Sequence, residues 1–322
     1  MSRVLNNDPT VTIREATRER ILAAARELDY RPNAFARGLK LARTMTIGMT
    51  IPNLAYPVNA EIIRGAERRA AAAGYVILLA DAEEFLQAGD AYRMLLLEQR
   101  VDGLLIASGS TNEPVLEQLA GQGLPIVLVN RRVERVGPSV TVDDARGTEL
   151  AVEHLADLGH RRIAHLAGPA DADTARRRLQ GFRAAMRAAG LRVPAPYVVE
   201  TPLDEEGGLQ ATQRLLSLDR PPTALVAWSL AAAVGALAAA RRAGVSVPQE
   251  LSVVGFHDAP IAAYLDPPLT TVRMPLAEMA ERSVEILIRI VEREPAESVV
   301  IESPPVLVPR GSTAILDTAD AG

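Results

Sequence analysis

The stretch MTIGMTIPNLAYPVNAEIIRGAERRAAAAGYVILLA, residues 45–80, decides the fold. It opens with a short apolar run that ends at a proline, which is typical of a buried strand. Residues 60–74 carry apolar side chains at helical spacing and end at Gly74, a residue type that commonly stops a helix. Residues 75–80 again predict a strand. A strand, a helix and a second strand in this order predict a parallel sheet that is covered by helices.

The same alternation continues along the chain in two series. In the first series, the pattern predicts helices at 91–99 and 115–123 and strands at 101–107 and 125–130. In the second series, it predicts helices at 149–159, 175–190, 208–218 and 231–244 and strands at 162–168, 197–201, 224–228 and 251–256. A longer helix is expected at 278–294. The sequence therefore predicts an α/β fold with two doubly wound parallel-sheet lobes, which we divide into residues 44–144 plus 274–304 and residues 145–273 plus 305–322.

The composition excludes several classes of protein. Of the 322 residues, 48% are hydrophobic and 23% are charged, as in ordinary globular proteins. The chain has no cysteine, so a disulfide framework, a thiol nucleophile and a zinc ribbon are excluded. No apolar run reaches membrane-spanning length, and the N-terminus lacks the apolar segment of a secretory signal. We therefore expect a cytoplasmic protein with no membrane association.

The charge is distributed unevenly along the chain. The net charge of −5, taken as a whole, argues against a protein that coats nucleic acid. Residues 1–43, however, hold nine basic and five acidic side chains and are net +4, so the remainder is net −9. A basic arm on an acidic body is expected of a nucleic-acid-binding appendage, and a merely charged N-terminal helix is the alternative.

Many short segments resemble one family and occur in that family's order. They are SRVLN (2–6), TRERILAAARELDYRPNAFARGL (17–39), TIGMTIPN (46–53), VDGLL (101–105), AVEHLADLGHRRIAHLAGP (151–169), RRLQGFRAAM (177–186), LSVVGFHD (251–258), DPPLTTVRMP (266–275) and VPRGST (308–313). On these segments the chain resembles the LacI-type (lactose/purine repressor) transcription regulators. The resemblance implies a partial all-α helix-turn-helix headpiece with a hinge helix in residues 1–43, followed by a periplasmic-binding-protein-like (type I) effector core. It also implies a homodimer that binds palindromic operator DNA.

The resemblance assigns DNA contacts to two segments of the arm. Ser2, Arg3 and Asn6 match the end of the recognition helix, whose side chains meet phosphates and base edges in the major groove. A hinge helix that begins at Asn33 would pair with its dimer mate in the minor groove. There Leu39 matches a leucine that wedges between base pairs, although it could instead be a plain linker residue. The remaining expected contacts in this part of the arm are Tyr30, Asn33, Ala36 and Arg37.

The helix between these two segments is expected to lack part of its packing. Its apolar face needs partners and comprises Ile21, Leu22, Ala25 and Leu28. Family members have roughly a further helix-turn before the position of Met1. Either the regulator is genuinely truncated or its start codon was assigned too far downstream, and we favour the second explanation. As printed, the chain is expected to bind an operator poorly or not at all.

A second candidate site lies at the strand ends, because ligands of doubly wound sheets bind there and, in two-lobed proteins, between the lobes. Arg178 matches a family arginine that grips the ligand, and its fork of N–H donors suits vicinal hydroxyls, a carboxylate or a phosphate. Its neighbours Arg176 and Arg177 are expected to be ion-pairing residues at the surface. The candidate effector contacts are Asn53, Tyr56, Val58, Asn59, Asp81, Asn130, Thr174, Arg178, Leu203, Ser229 and His257.

Two of these positions depart from the family. Ser229 and Leu230 stand where an Asn-Asp pair is common, and His257 stands where an aspartate is common. A shorter hydroxyl and an imidazole thus replace two acceptors that often hold sugar hydroxyls. We expect a carbohydrate-like small-molecule effector, and the replacements also allow an anionic or nucleoside-like one.

No cofactor and no metal are expected. His154, His160 and His165 fall on a helix, its end and a strand instead of one face, which favours structural roles. Asp143 and Asp144 favour a strand end with a helix N-cap over a catalytic pair. The glycine-rich motifs of dinucleotide-binding and P-loop proteins are absent from the sequence.

Three functions are compatible with this fold. The first is a dimeric, ligand-responsive transcription regulator, most simply a repressor. The second is a solute-binding protein of the same fold without DNA binding, which requires a secretion signal and leaves residues 5–40 without a role. The third is an enzyme, which requires a nucleophile or an acid–base set at the strand ends, where the sequence offers none. The sequence favours the repressor.

Overall fold

The computed structural model describes Val4 and residues 13–28, 43–82, 100–107 and 113–316. The predicted hinge helix, the predicted helix at 91–99 and all the predicted DNA contacts lie outside these residues. In the arm, helix α1 spans Glu15–Glu27. None of its side chains is buried, and Leu28, just beyond it, is 76% exposed. The described residues therefore cover the apolar face of this helix only in part.

The first half of the chain alternates strands and helices. Its elements are β1 (Thr46–Ile51), α2 (Asn59–Ala72), β2 (Val76–Asp81), β3 (Gly103–Ile106), α3 (Glu113–Gly121), β4 (Ile126–Val129) and β5 (Ser139–Thr141). They match the predicted pattern except for β5.

The second half continues the alternation. Its elements are α4 (Asp144–Asp157), β6 (Ile163–Ala167), α5 (Asp173–Ala188), β7 (Val198–Glu200), α6 (Glu205–Leu216), β8 (Ala224–Ala227), α7 (Leu230–Ala243), β9 (Ser252–Phe256), β10 (Thr270–Arg273), α8 (Leu276–Val291), β11 (Val299–Val300) and β12 (Val306–Val308). Short 3₁₀ turns at Ala195–Tyr197 and Pro260–Tyr264 precede β7 and β10.

The strands form two separate six-stranded sheets. The first has the order β11-β5-β4-β3-β1-β2 and is parallel throughout. The second has the order β12-β10-β9-β8-β6-β7, in which only β12 runs antiparallel to its neighbour. We call lobe 1 the first sheet with α2, α3 and α8, and lobe 2 the second sheet with α4 to α7. The chain crosses between the lobes after β5, after β10 and after β11.

The predicted α/β fold with two parallel-sheet lobes is confirmed. Every residue of β3, β4, β6, β8 and β9 is buried, as expected for strands that are covered by helices on both faces. The helix predicted at 149–159 begins earlier, at Asp144, because the Asp143 side chain caps it by accepting the backbone N–H of Arg146. Strands β5, β10, β11 and β12 were not predicted, because each lies in a segment without the longer apolar run that marks β3, β4 and β8 in the sequence. No helix in the described part of the chain is long and apolar enough to span a membrane.

Candidate effector cleft

The carboxyl ends of the two sheets face each other, and hydrogen bonds join them. Tyr56, in the loop after β1 of lobe 1, accepts a hydrogen bond from the backbone N–H of Leu230, which begins α7 of lobe 2, at 3.2 Å. In the other direction, Arg177 of α5 donates to the Asn130 side chain, just after β4, at 3.1 Å. The cleft between the lobes therefore lies at the strand ends, where the sequence predicts an effector.

Tyr56 is almost fully buried in this contact. Burial raises the pKa of its hydroxyl, although the nearby charge of Arg178 and hydrogen bonds at the start of α7 act in the opposite direction. The phenol is therefore neutral at physiological pH. Its oxygen accepts a backbone N–H at a helix N-terminus, a group that would otherwise have no partner within the helix.

Arg178 lies buried at the centre of the lobe 2 side of the cleft. Its Nε donates to Asp144 Oδ1 at 2.8 Å, its Nη1 donates to the Trp228 carbonyl, and its Nη2 donates to His257 Nε2 at 3.0 Å. The guanidinium also lies 4.0 Å from the centroid of the Phe256 ring. The arginine that the sequence predicts as the ligand anchor is thus held in one orientation by three different strand or helix ends.

Arg177 makes a second set of ionic contacts in the same place. Its Nε donates to Asp144 Oδ2 at 3.1 Å, and its Nη1 donates to Asp173, the first residue of α5. Asp144 is fully buried, so one carboxylate lies between two guanidinium groups. Burial lowers the pKa of Arg177, and the charge of Asp144 acts in the opposite direction. Asp173 also accepts the backbone N–H of Arg132, in lobe 1, at 3.0 Å.

The expectation of surface arginines next to Arg178 is correct for Arg176 and wrong for Arg177. The Arg176 side chain is 47% exposed and pairs with Asp173. The Arg177 side chain is only 11% exposed. The difference arises because α5 lies directly on α4, and the face that carries Arg177 meets the start of that helix. An i,i+4 pairing of Asp173 with Arg177 was visible in the sequence, but its burial was not.

A glycine allows this close approach of two helices. Gly181 lies one turn after Arg177 on α5, and a Cβ added there would stand 2.5 Å from the Ala145 carbonyl oxygen of α4. Only a residue without a side chain fits at that separation. Gly181 therefore brings the first turn of α4, with Asp144, within hydrogen-bonding reach of both arginines.

His257 has an unusual backbone and an unpaired ring nitrogen. Its φ is 72°, in the left-handed region that few residues other than glycine adopt. Because Nε2 accepts the hydrogen bond from Arg178, Nδ1 carries the proton, and this buried N–H has no partner among the described residues. Burial and then the charge of Arg178 lower the pKa of His257 well below its usual value, so the ring is neutral.

Two other predicted strand-end residues share this left-handed backbone. Asn53, after β1, has φ 51°, and Asn130, after β4, has φ 55°. Strained backbone at functional sites persists when the surrounding structure holds it in place. Residues with a left-handed backbone therefore occur in both lobes, at strand ends that face the cleft.

The other lobe 1 candidates hold the loop after β1 in place. Asn59 donates from Nδ2 to the carbonyl oxygens of Pro52, at 2.7 Å, and Asn53, at 3.0 Å. Asp81, at the end of β2, accepts the backbone N–H of Leu54 at 3.3 Å. Val58 is buried beside them. These contacts position Tyr56 for its bond to lobe 2.

The remaining lobe 2 candidates lie around the second sheet. Ser229 is fully buried and caps α7, because its Oγ accepts the backbone N–H of Ala232 at 3.1 Å. Thr174, in the first turn of α5, is half-buried. Leu203 is partly buried and packs against the hydrophobic core. The side-chain oxygen of Ser229 is therefore already occupied by the fold.

Asp258, whose side chain is 5% exposed, is an acid that the sequence did not single out as a contact. It accepts hydrogen bonds from Thr271 at 2.7 Å, from Arg310 at 2.6 Å and from Arg273 at 3.0 Å. Burial alone would raise its pKa, but these hydrogen bonds outweigh burial and lower it. Asp258 thus fastens the end of β9 to β10 and to the segment after β12.

The three histidines of the block around residue 160 have structural partners, as predicted. His154 hydrogen-bonds the Thr313 hydroxyl at 2.9 Å, and His160 bonds the hydroxyls of Thr223 and Ser252 at 3.0 Å each. His165 donates from Nδ1 to the Val226 carbonyl at 2.8 Å. In the described ranges, no group of three or more His, Cys, Asp or Glu side chains is placed to hold a metal ion.

Comparison with known proteins identifies the family. Residues 152–313 match the periplasmic binding protein-like domain, and residues 1–33 match the bacterial regulatory proteins of the lacI family. The ribose operon repressor of Escherichia coli K12 is 36% identical over 319 residues, which cover 97% of this chain and 94% of that protein. The chain belongs to the LacI family.

Other members agree in sequence and in fold. The transcriptional repressor PurR of Photobacterium profundum is 34% identical over 319 residues, which cover 98% of this chain and 95% of that protein. The crystal structure of a LacI family transcriptional regulator from Mycobacterium smegmatis superimposes with a TM-score of 0.79 at 33% identity, over 84% of this chain and all of that one. LacI family membership makes the protein a transcription regulator and not an enzyme, in agreement with the sequence-based prediction.

Proposed function

We propose that this LacI family protein is a transcriptional repressor whose affinity for DNA is set by a small molecule bound between lobe 1 and lobe 2. The observation that carries the proposal is the pair of hydrogen bonds, Tyr56 to Leu230 and Arg177 to Asn130, that joins the carboxyl ends of the two sheets. A ligand bound in the same place changes the relative stability of open and closed lobes, because it makes its own contacts with both.

The coupling to DNA follows from where the lobes are joined to the arm. Lobe 1 begins immediately after the basic arm of residues 1–43. A change in the angle between the lobes alters the spacing of two arms in a homodimer, and hence their ability to bind two half-sites of a palindrome. Effector and operator then influence each other's binding by the same factor.

The residues that we propose to contact DNA all lie in the basic arm. They are Ser2, Arg3, Asn6, Tyr30, Asn33, Ala36, Arg37 and Leu39. The basic arm supplies charge for phosphate contacts, and the acidic body limits indiscriminate binding. The protein would act on chromosomal DNA in the bacterial cytoplasm. Operator binding is best measured at low ionic strength, where phosphate contacts are strongest.

The proposed effector is a sugar or a related metabolite. A named relative is the repressor of a ribose operon, which supports a carbohydrate-like ligand. Arg178 is buried at the strand ends with N–H groups that suit ring hydroxyls or an anionic group.

A thermal-shift screen tests the ligand half of the proposal. Sugars, sugar acids, sugar phosphates and nucleosides are added to the purified chain, and any compound that raises the melting temperature is added to Arg178→Ala. We expect the shift to disappear in Arg178→Ala and to persist in Arg183→Ala, an arginine on the same helix that has no contact with Asp144 or His257. An equal shift of the melting temperature in wild type and Arg178→Ala would show that the ligand does not bind at Arg178 in the cleft.

A further inference from the structure

We infer that the effector carries an oxyanion, either a carboxylate or a phosphate ester, that is bound by His257 and Arg178, while its hydroxyl groups face lobe 1. This inference rests on the proposed function and narrows the ligand of the same cleft. It comes from the pattern of occupied and unoccupied hydrogen-bonding groups in lobe 2.

The lobe 2 side of the cleft has more hydrogen-bond donors than the protein itself pairs. The Nδ1–H of His257 has no partner in the described part of the chain, although the residue is only 9% exposed. A guanidinium has five N–H groups. Each of the three nitrogens of Arg178 donates one hydrogen bond to a protein partner, which leaves one further N–H on Nη1 and one on Nη2. A buried donor without a partner lowers the stability of the protein. A ligand atom that accepts the hydrogen bond from His257 removes this cost and thereby strengthens binding.

The acceptors around these donors are already occupied. Both carboxylate oxygens of Asp144 and the carbonyl of Trp228 accept from arginines. The Ser229 hydroxyl accepts from the α7 backbone, and the Thr201 hydroxyl accepts from the Trp228 indole at 2.9 Å. A neutral hydroxyl group bound here would find donors for its oxygen, but its proton would have to share an acceptor that already has a donor partner. A carboxylate or a phosphate has no such proton and satisfies the donors without a loss.

Lobe 1 offers the opposite chemistry. Asp81, a carboxylate that can only accept hydrogen bonds, lies half-buried at the end of β2, and its Oδ2 accepts the backbone N–H of Leu54 at 3.3 Å. Carboxylate oxygens accept from sugar hydroxyls. A ligand with hydroxyls at one end and an oxyanion at the other end therefore fits both lobes, as in a sugar acid or a sugar phosphate.

Isothermal titration of the full chain with matched pairs tests the inference. The pairs are D-ribose with D-ribose 5-phosphate and D-glucose with D-gluconate, with inorganic phosphate and hypoxanthine as further probes. We expect the anionic member of at least one pair to bind at least about tenfold more tightly than its neutral partner, as charge-assisted hydrogen bonds predict. Tighter binding of a neutral sugar or of hypoxanthine, or no binding of any anionic compound at millimolar concentration, would overturn it.

Substitution of His257 tests the residue assignment. In His257→Asp the added carboxylate repels the oxyanion, and we expect the preference for the anionic ligand to fall by about tenfold or more. His257→Gln keeps a neutral donor and is expected to retain the preference. His154→Gln, a histidine outside the cleft, serves as the control and should behave as wild type. An unchanged preference in His257→Asp would exclude His257 from the anion contact.

The inference and the proposed function fail in different ways. If a neutral sugar binds in the cleft and alters DNA binding, the inference is wrong and the repressor assignment stands. If a sugar phosphate or sugar acid binds as expected but DNA affinity does not change, the ligand inference stands and the repressor assignment is wrong. Melting curves of each variant separate loss of binding from loss of folding.

Discussion

Arg177 of lobe 2 donates a hydrogen bond across the cleft to the side chain of Asn130 in lobe 1, with 3.1 Å between the two atoms. The same guanidinium pairs with the buried carboxylate of Asp144, at the start of the first helix of lobe 2. One side chain therefore connects both lobes and the crossover between them. This contact, the bond between Tyr56 and Leu230 and the bond from the Arg132 N–H to Asp173 join the two lobes across the cleft.

Arg177→Ala should destabilise the protein and loosen the lobes. The substitution leaves Asp173 and Asp144 with fewer cationic partners in a buried site, which costs about 3 kcal/mol. Urea denaturation measures the free energy of unfolding. The matched control is Arg176→Ala, whose half-exposed side chain should contribute under about 1 kcal/mol. Equal stability of the two variants would show that Arg177 is not part of a buried network.

Tyr56→Phe should weaken the closed arrangement without disturbing either core. The change removes only the hydroxyl that accepts the Leu230 N–H, and it leaves that buried donor without its partner, at a cost of about 1–2 kcal/mol. Small-angle X-ray scattering should show a larger radius of gyration than in wild type. Tyr264→Phe, at a side chain that is 83% exposed, is the control and should change neither quantity. An unaltered scattering curve for Tyr56→Phe would argue against the contact between the lobes.

Gly181→Ala should be destabilising although alanine favours helices. The added Cβ would meet the Ala145 carbonyl at 2.5 Å and push α5 away from α4, at a cost of about 1–3 kcal/mol. Gly121→Ala is the matched control, because a Cβ at Gly121 meets nothing within 4 Å. That variant should be neutral or more stable by up to about 1 kcal/mol. A Gly181→Ala protein as stable as Gly121→Ala would contradict the close packing.

Stability should decrease on acidification between pH 6.5 and about 4. Burial lowers the pKa of His165 from 6.5 to about 4, so in this window the unfolded chain binds a proton that the folded chain does not. The contribution of His165 is complete above pH 6.5, and on the order of 3 kcal/mol is lost on the way to pH 4. His257 shifts in the same direction and adds to the effect.

The pH dependence of unfolding, measured with urea at a series of pH values, checks this assignment. In His165→Asn the slope between pH 6.5 and 4 should become shallower, whatever the absolute stability of the variant. Asp258 also contributes to the free energy of unfolding, but that contribution is lost only below pH 3.8, outside the window. The reason is that the pKa of this carboxyl is lowered from its ordinary value of 3.8. A His165→Asn slope equal to that of wild type would show that this histidine does not carry the effect.

Much of the fold and some of the cleft could be predicted from the sequence. Long apolar runs such as residues 162–168 and 251–256 indicate buried parallel strands, because strands covered on both faces have little choice of residue type. The position of the cleft follows from the same reasoning, since parallel strands bring their carboxyl ends to one edge. Arg178 was predicted from the family resemblance and is buried at that edge.

The partners within the cleft could not be predicted, because they depend on how closely two helices approach. Arg177 and Arg178 are neighbours in sequence, and only the packing of α5 on α4 at Gly181 buries both against Asp144. The left-handed backbone of His257 also has no sequence signal, since glycine is the residue that normally marks such a position. Side-chain identity thus predicted the location of the site and left its hydrogen bonding open.

The most direct test of the central claim is the effect of a cleft ligand on DNA binding. Genomic fragments selected on the immobilised protein at low ionic strength provide the operator, and fluorescence anisotropy gives its dissociation constant with and without a compound that raises the melting temperature. We predict a change of at least about tenfold in wild type, equivalent to about 1.4 kcal/mol of coupling, and none in Arg178→Ala. An operator affinity that is the same with and without every stabilising compound would contradict the assignment of this protein as a ligand-responsive repressor.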